Sequence, residues 1–339
     1  MRRGSIVQLV LVGAVLGAAA TAVAYFVPWL PTSASRERGR IDFVFWFVTA
    51  ISIAIFSLVG AIILYSVVKF RARPDDDSDG PPIHGHTGLE IVWTAVPALL
   101  VTAISIVSAI VLGKNDDLPK NSLVVVVKAQ QFAWNFKYPS YGDLTSGVLR
   151  LPLGKAVELR ISSVDVVHSF WVPQFGQKQD ALPGSVNLLK VTPDRLGSYP
   201  VKCTELCGLG HAVMVTEAVV MKPTEFRAWA TKQQKALAGG GGQAGKAVFA
   251  NNGCGACHTF KPAGATANVG PDLDKLPQLA RQAGKPLQDF VRESIVKPNA
   301  YVQPGFPAGV MPGNFGELPP AQLDALVRFL TGGGGQGSS

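Results

Sequence analysis

Two cysteines, a histidine and a methionine stand close together in the segment 201–214. They are Cys203, Cys207, His211 and Met214, spaced as Cys-x3-Cys-x3-His-x2-Met. Thiolate and thioether sulfur favour soft metals, and a weak methionine beside cysteine and histidine is the ligand set of copper electron-transfer centres. The alternatives are a structural zinc loop and cysteines that are merely buried, but zinc sites use cysteine, histidine and carboxylate and have little need of methionine. The segment therefore predicts a soft-metal site in which copper is favoured over zinc.

A second cysteine pair has a histidine directly behind it: Cys254, Cys257 and His258 form a Cys-x-x-Cys-His motif. This is the pattern of covalent c-type haem attachment, in which the thiols add to the haem vinyl groups and the histidine binds iron. Met311, just before a predicted terminal helix, is the predicted axial ligand on the other face, and methionine with histidine raises the haem potential. The alternatives are a zinc or redox-active cysteine pair and a core role for Met311.

Composition limits what kind of protein can carry these motifs. The chain has 339 residues, a formal charge of +8, only 16% charged residues and a mean hydropathy of +0.25. Such a chain is too long for one ordinary domain and too apolar to be wholly soluble. Its positive charge forms no basic stripe interleaved with aromatic residues, which argues against nucleic-acid binding. We attribute the charge to a membrane or to an acidic partner.

The amino-terminal third of the sequence is apolar. Residues 1–24 combine a basic start, an apolar middle and an Ala-x-Ala site, which predicts a secretory signal peptide; an uncleaved transmembrane helix is the alternative. Residues 44–68 and 91–113 are each long and apolar enough to span a bilayer, and they predict a helical hairpin over 41–114. Basic residues behind the first span place the connecting loop in the cytoplasm, so the chain beyond Lys114 lies on the outer side of a bacterial cell membrane.

Short runs rich in β-branched and aromatic residues, separated by Gly, Pro, Asp and Ser turns, fill the next part of the chain. Such runs at close spacing predict an all-β sandwich or barrel. An early-strand histidine, His168, followed by a late loop with cysteine, histidine and methionine, resembles the cupredoxin fold. The predicted strands cover 123–127, 132–138, 157–161, 164–171, 186–191, 199–201 and 213–220.

The second cysteine of the copper loop sets this pattern apart from a single-copper cupredoxin. Two thiolates on one loop can both bridge two copper ions, which leaves His168 and His211 to bind one ion each. We expect such a pair to share one electron over both metals and both sulfurs, so that its geometry changes little on reduction and transfer is fast.

With this feature the sequence resembles subunit II of cytochrome c oxidase, which carries the binuclear copper centre CuA. Together with the cytochrome motif, the resemblance is to caa-type members that have a cytochrome c domain fused at the carboxyl end. Besides the copper loop, three further motifs support the resemblance, which covers about residues 40–222. These motifs are Leu-Glu-Ile-Val-Trp-Thr at 89–94 with Pro97, Asp-Val-Val-His-Ser-Phe-Trp at 165–171, and Lys-Gln-Asp-Ala-Leu-Pro-Gly at 178–184.

The resemblance implies roles for particular residues. Glu205 would lend its backbone carbonyl to copper and its carboxylate to a magnesium ion shared with subunit I. Glu90 would lie at the cytoplasmic entrance of a proton path in subunit I, although an interfacial end group is the alternative. The implied CuA ligands are His168, Cys203, Glu205, Cys207, His211 and Met214.

One position departs from the family pattern. The aromatic run ahead of the copper site is usually Gln-Trp-x-Trp, and here Phe132 replaces the first tryptophan. That tryptophan is taken to receive electrons from a separate cytochrome c, so the replacement puts this docking route in doubt. Trp134 is a candidate electron relay, with core packing as the alternative.

These inferences predict a multi-domain membrane protein: a transmembrane α-helical hairpin, an all-β cupredoxin-like domain and an all-α cytochrome c domain. Its function would be to accept electrons at haem c and pass them through CuA to subunit I, which reduces oxygen to water with proton pumping. The donor would be a cytochrome c or a membrane quinol-oxidising complex. The predicted divisions are 1–24 signal peptide, 41–114 hairpin, 115–222 CuA domain, 223–243 linker, 244–333 cytochrome c domain and 334–339 disordered tail.

Three other functions compete with this prediction. One is a free-standing, membrane-anchored electron carrier, and another is the CuA subunit of a nitric oxide reductase. The third is a copper chaperone or sensor, but two bridging thiolates suit electron transfer better than metal delivery. A two-helix hairpin is more than an anchor requires, which favours a subunit that packs against a membrane partner.

Overall fold

The computed structural model describes residues 3–71, 82, 85–238 and 242–332. It divides into two compact units, one holding the chain up to residue 32 and residues 39–116, the other holding 33–38 and the chain from 117 onward. The predicted tail 334–339 and most of the predicted cytoplasmic loop lie outside the described residues.

The first unit is built from long apolar helices. They are α1 (Arg3–Phe26), α2 (Arg36–Lys69) and α3 (Thr87–Asp116). Each is long and apolar enough to cross a membrane, and most of their large apolar side chains are exposed. A helix that is hydrophobic all round has lipid or protein as its surroundings, not water. The predicted spans therefore fall within α2 and α3, and the predicted signal peptide coincides with α1 almost throughout.

A β-sandwich forms the first part of the second unit. One sheet has the order β3-β2-β1-β5-β8 and the other β4-β10-β9-β6-β7. The strands are β1 (Leu123–Gln130), β2 (Ala133–Tyr138), β3 (Leu144–Ser146), β4 (Leu149–Pro152), β5 (Val157–Ser163), β6 (His168–Trp171), β7 (Lys178–Ala181), β8 (Asn187–Val191), β9 (Gly197–Cys203) and β10 (Val215–Met221).

Alternating apolar residues fill the space between the two sheets. Along β1 every second side chain is buried, and β1 pairs in parallel with β5 so that Val125 lies opposite Leu159. Phe136 and Phe170 complete the centre with an edge-to-face ring contact across the sheets. The same buried core also contains Cys203, Cys207 and Met214, so the predicted copper ligands pack against its apolar side chains.

The strand predictions differ from the structure in two informative places. Residues 164–167 precede the strand, because β6 begins only at His168. Phe132 lies in the turn between β1 and β2, not at the start of β2. Strands β3, β4 and β7 were not predicted, because each has only three or four residues.

Helices make up most of the remaining chain. Helix α4 (Pro223–Ala238) packs on the sandwich, where Phe226 and Ala230 belong to its buried core. A second core then forms among helices that surround the Cys-x-x-Cys-His motif. Its elements are α5 (Gly242–Asn251), β11 (Thr259–Phe260), β12 (Ala265–Thr266), α6 (Leu276–Gln282), α7 (Leu287–Val296) and α8 (Pro320–Leu330).

Candidate copper and haem sites

Neighbouring strands bring the predicted copper ligands together. His168 is the first residue of β6 and Cys203 the last of β9, and the two strands pair so that Phe170 lies opposite Cys203. The loop from β9 to β10 then carries Cys207, His211 and Met214 back over the same edge. Residues 35 positions apart therefore meet because the sheet places β6 beside β9.

The ligand atoms of this cluster lie within a few ångströms of one another. The Sγ atoms of Cys203 and Cys207 are 3.9 Å apart, and the Nδ1 atom of His168 is 3.8 Å from the first sulfur. On the other side, His211 Nδ1 is 3.6 Å and Met214 Sδ 3.8 Å from the Cys207 sulfur. Metal–thiolate bonds of about 2.3 Å allow one ion to contact both sulfurs at this separation. The donor set and its spacing thus fit metal ions bridged by two thiolates.

The charges of the cluster also fit a cation. Burial raises the pKa of Cys203, but hydrogen bonds from His168 and the Glu205 backbone lower it more, and the net pKa lies below its ordinary value. Burial and the neighbouring Cys203 raise the pKa of Cys207. Without a metal the second thiol therefore keeps its proton, since two thiolates this close repel each other. Bound copper would supply the positive charge that lets both ionise.

Asp165 orients the side chain of His168. It was not among the predicted site residues. Its Oδ1 atom lies 2.8 Å from Nε2 of His168, which leaves Nδ1 of that ring facing the sulfurs. Burial lowers the pKa of His168, but hydrogen bonds to Asp165 and Cys203 raise it overall to about 9. A carboxylate on the second ring nitrogen of a metal-binding histidine fixes the ring and its tautomer. The Asp-x-x-His spacing was the signal that could have revealed this role.

Glu205 presents its two functional groups in different directions. Its carbonyl oxygen is 3.3 Å from the sulfur of Cys203, inside the cluster. Its side chain is exposed, as are those of Leu206 and Leu209 on the same loop. The backbone is therefore available to a metal within the chain, and the carboxylate faces outward.

The Cys-x-x-Cys-His motif opens onto a large apolar cavity. Cys254, Cys257, His258 and Met311 all line it, together with Phe290 and other apolar side chains of the second core. Burial raises the pKa of Cys254 to about 12, and burial also raises that of Cys257. A cavity walled by apolar groups, with two thiols and both predicted axial ligands on its surface, fits a covalently held haem.

The ring of His258 is prepared for iron binding by its surroundings. Its Nδ1 atom donates a hydrogen bond to the carbonyl oxygen of Pro271 at 2.8 Å, which leaves Nε2 available. Burial lowers its pKa, so the ring is neutral and able to act as a ligand. Gly270 lies against the ring face, where a Cβ atom would come within 2.6 Å of His258 Cε1. Only glycine fits there without displacing the ring.

The other predicted functional residues lie in different surroundings. Trp134 is buried between the sheets, with its ring centroid 6.3 Å from that of His168, so it contacts a copper-site residue while packing in the core. Glu90 lies in the first turn of α3, where its Oε1 atom accepts a hydrogen bond from the amide of His86 at 3.1 Å. This contact is a local helix-end interaction and belongs to neither cluster.

Three family models match the chain, and together they span most of it. The model described as "Cytochrome C oxidase subunit II, transmembrane domain" matches residues 22–111. The model described as "Cytochrome C oxidase subunit II, periplasmic domain" matches residues 145–222. The third, described as "Cytochrome c", matches residues 242–333.

Individual proteins are similar over long stretches. A "Cytochrome c oxidase subunit 2" of Thermostichus vulcanus is 35% identical over 263 residues, which are 62% of this chain and 79% of that protein. One of Bacillus sp. (strain PS3) is 31% identical over 285 residues, covering 77% and 79% respectively. Among solved structures, the periplasmic domain of subunit II of cytochrome oxidase of Bradyrhizobium japonicum is 27% identical, covering 35% of this chain and 98% of that one, with a TM-score of 0.34.

Proposed function

We infer the function of this chain from the premise that it belongs to the cytochrome c oxidase subunit II family, with a cytochrome c domain fused behind the copper domain. Members of this family are electron-transfer subunits of a haem-copper oxidase, and the chain binds copper and haem c and is anchored in a membrane. The residues that perform these tasks, the electron donor and the number of membrane passes are proposals.

The proposed copper centre is dinuclear, with Cys203 and Cys207 as bridging thiolates. The observation that carries it is the position of two sulfurs 3.9 Å apart with one imidazole beside each. His168 and His211 would each bind one ion, and Met214 and the Glu205 carbonyl would complete the ligand set. A bound copper pair supplies reversible one-electron chemistry. The exposed carboxylate of Glu205 would bind magnesium at the boundary with subunit I.

The proposed haem site uses Cys254 and Cys257 for covalent attachment and His258 and Met311 as axial ligands. Haem held in this way supplies a one-electron couple with a raised potential. Held by these four residues, the haem would supply one-electron transfer chemistry beside the copper cluster. The role of the protein residues is to hold the two sites close together in a dry environment.

The surface of the copper loop suggests where subunit I binds. Leu206 and Leu209 are 79% and 90% exposed. Val166 and Val167, which precede His168 in the sequence, are also exposed. Apolar residues exposed together on a soluble domain mark an interaction surface. We propose that this face of the copper domain rests on subunit I, which receives the electron and reduces oxygen to water with proton pumping. Glu90 would contribute to the proton path from the cytoplasmic side.

Membrane topology and donor complete the proposal. Helices α2 and α3 would span the bacterial cell membrane as a hairpin, with the copper and haem domains on the outer side. Helix α1 would act as the signal peptide. The donor to the haem domain would be a soluble cytochrome c or a membrane quinol-oxidising complex.

Purification of the detergent-extracted complex tests this function. We expect covalently bound haem c, a co-purifying haem-copper subunit, and about two copper ions per chain beyond the copper of that subunit. Optical spectra, metal analysis and protein identification measure these three quantities separately. A fully metallated chain that purifies without any haem-copper subunit would instead support a free-standing electron carrier.

A further inference from the structure

The turn between β1 and β2 lies against the copper loop. Gln130 pairs with Ala133 across these antiparallel strands, so Gln131 and Phe132 form a two-residue turn. A Cβ atom at Gly210 of the copper loop would come within 2.4 Å of the Phe132 ring. Because β1 is the central strand of its sheet, the sandwich fixes the position of this turn, and the turn can in turn fix the loop.

The side chain of Gln131 binds the backbone of the copper loop. Its Nε2 atom donates a hydrogen bond to the carbonyl oxygen of Cys207 at 2.5 Å. A Cβ atom at Gly208 would come within 2.8 Å of the same Nε2 atom, and the φ of Gly208 is +130°, a conformation that favours glycine. The peptide behind the second predicted bridging cysteine therefore approaches the glutamine amide closely because residue 208 has no side chain.

The backbone of Gln131 binds the carboxylate that supports His168. Its amide donates to Asp165 Oδ2 at 2.7 Å, and Oδ1 of that carboxylate lies 2.8 Å from His168 Nε2. The sheet brings these groups together, because Ala129 of β1 pairs with Ser163 of β5 and the Ser163 hydroxyl donates to Asp165 Oδ1 at 3.1 Å. One residue is thus bonded to one predicted copper ligand and to the carboxylate that orients another.

The hydrogen bond from the Gln131 side chain holds the middle of the ligand loop. Backbone hydrogen bonds hold this loop at Thr204, whose amide donates to Ser169, and at His211, whose amide donates to Gly208. The glutamine amide is half-buried and binds the loop between these two points. Groups that bind a metal ligand from outside the coordination sphere determine how precisely the ligand is oriented.

We propose that Gln131 is a positioning residue of the copper centre, which holds the Cys207 part of the ligand loop with its side chain and the Asp165–His168 pair with its backbone. Both halves of the centre are then fixed to one turn of a rigid sheet. Ligands fixed in this way move little when the centre gains or loses an electron, which favours fast transfer. The inference rests on the proposed function, because it assumes that copper binds at this cluster.

Copper titration of the full-length chain is the first test, and it compares Gln131→Met and Gln131→Glu with the control Gln234→Met. Methionine keeps the side-chain length but cannot donate to the Cys207 carbonyl, and an ionised glutamate keeps the shape but repels that oxygen. The control residue is matched, because Gln234 Nε2 donates to the carbonyl of Tyr141 at 2.7 Å. We expect copper affinity to fall about tenfold in Gln131→Met, to fall further in Gln131→Glu, and to stay native in Gln234→Met.

The reduction potential of the copper-saturated chain separates positioning from general stability. Removal of the amide takes the positive end of a dipole away from Cys207, and glutamate adds a negative charge there. We therefore expect the copper potential to fall in the order native, Gln131→Met, Gln131→Glu, with an altered electron paramagnetic resonance spectrum in both variants. A residue needed only for folding would lower the melting temperature and leave the potential of the saturated centre unchanged.

The possible results decide the inference in each case. Native affinity and potential in both Gln131 variants would overturn it, as would lower affinity with an unchanged potential, or equal changes in Gln234→Met. If Gln131→Met does not fold, Gln131→Glu alone decides the result. A native chain that binds no copper would instead overturn the proposed copper centre, and this failure is seen before any variant is compared.

Discussion

The copper cluster and the haem cavity are built in opposite ways. The copper-site residues come from β6, from the end of β9 and from the loop behind it. Each of their donor atoms already lies between 3.3 and 3.9 Å from one of the two sulfurs. Three of the four haem-site residues are almost contiguous in sequence, and they surround a cavity. The β-sheets therefore position the copper-site residues, whereas the haem-site residues are a local sequence motif that lines a cavity.

This difference predicts how each domain depends on its cofactor. The sandwich buries Val125, Phe136 and Leu159 completely, and none of the three is a copper-site residue. In the haem domain, core residues such as Phe290 and Leu326 also line the cavity. An apolar wall without a partner loses packing contacts, so the haem itself is part of the core. We therefore expect the copper domain to need copper for function only, and the haem domain to need haem for both function and folding.

Preventing haem attachment should have the largest effect. We expect Cys254→Ala with Cys257→Ala to abolish covalent haem and to disorder the helices of the haem domain, because their shared core is incomplete. The matched double variant Cys203→Ala with Cys207→Ala should lose copper and keep its β-sandwich. Far-ultraviolet circular dichroism and hydrogen exchange measure both. Equal loss of order in the two domains would contradict the comparison.

Removing one bridging thiol should abolish the dinuclear centre without unfolding its domain. In Cys207→Ser we expect copper to fall from about two ions to at most about one per chain, with loss of the shared-electron signal, because a hydroxyl is a poor bridge for soft copper. Copper analysis and electron paramagnetic resonance measure this. An unchanged spectrum would show that Cys207 is not a ligand.

Replacing the distal axial ligand should alter the haem without detaching it. For Met311→Ala we expect haem to stay bound through its two thioethers while its potential falls by roughly a tenth of a volt or more, since axial ligands span about 0.8 V. The control is Met221→Ala, because Met221 packs against the sandwich. Redox titration would give equal potentials for the two variants if another residue were the ligand.

Weakening the support of His168 should have the smallest effect. Burial raises the pKa of Asp165, but hydrogen bonds from His168 and from the Gln131 amide lower it overall, so the carboxylate is ionised and holds the ring. Asp165→Asn should reduce copper affinity by about 10- to 100-fold, as expected for loss of such a partner. Glu217→Gln, at an exposed carboxylate on β10, should leave affinity unchanged in the same copper titration.

Sequence reasoning was most successful where residues that act together are close along the chain. The membership of the family, the fold class and the electron-transfer function are confirmed. The boundaries of the divisions, the individual site roles, the magnesium site and the function of Glu90 stay predictions. The strand pattern failed at Phe132 and at residues 164–167, since short apolar runs do not reveal where a strand gives way to a turn.

By itself the sequence indicated copper and haem c as the cofactors, because ligand type and local spacing are properties of the chain. Cys-x3-Cys-x3-His-x2-Met predicts soft-metal binding and Cys-x-x-Cys-His predicts haem attachment. Only the tertiary structure decided which distant groups meet them. The pairing of β6 with β9 places His168 beside Cys203, and Asp165 becomes its support through the turn that precedes β6. The packing of one domain on the other decided the position of Phe132 between the two sites, because contacts across domains depend on surface fit and leave no periodic signal in the sequence.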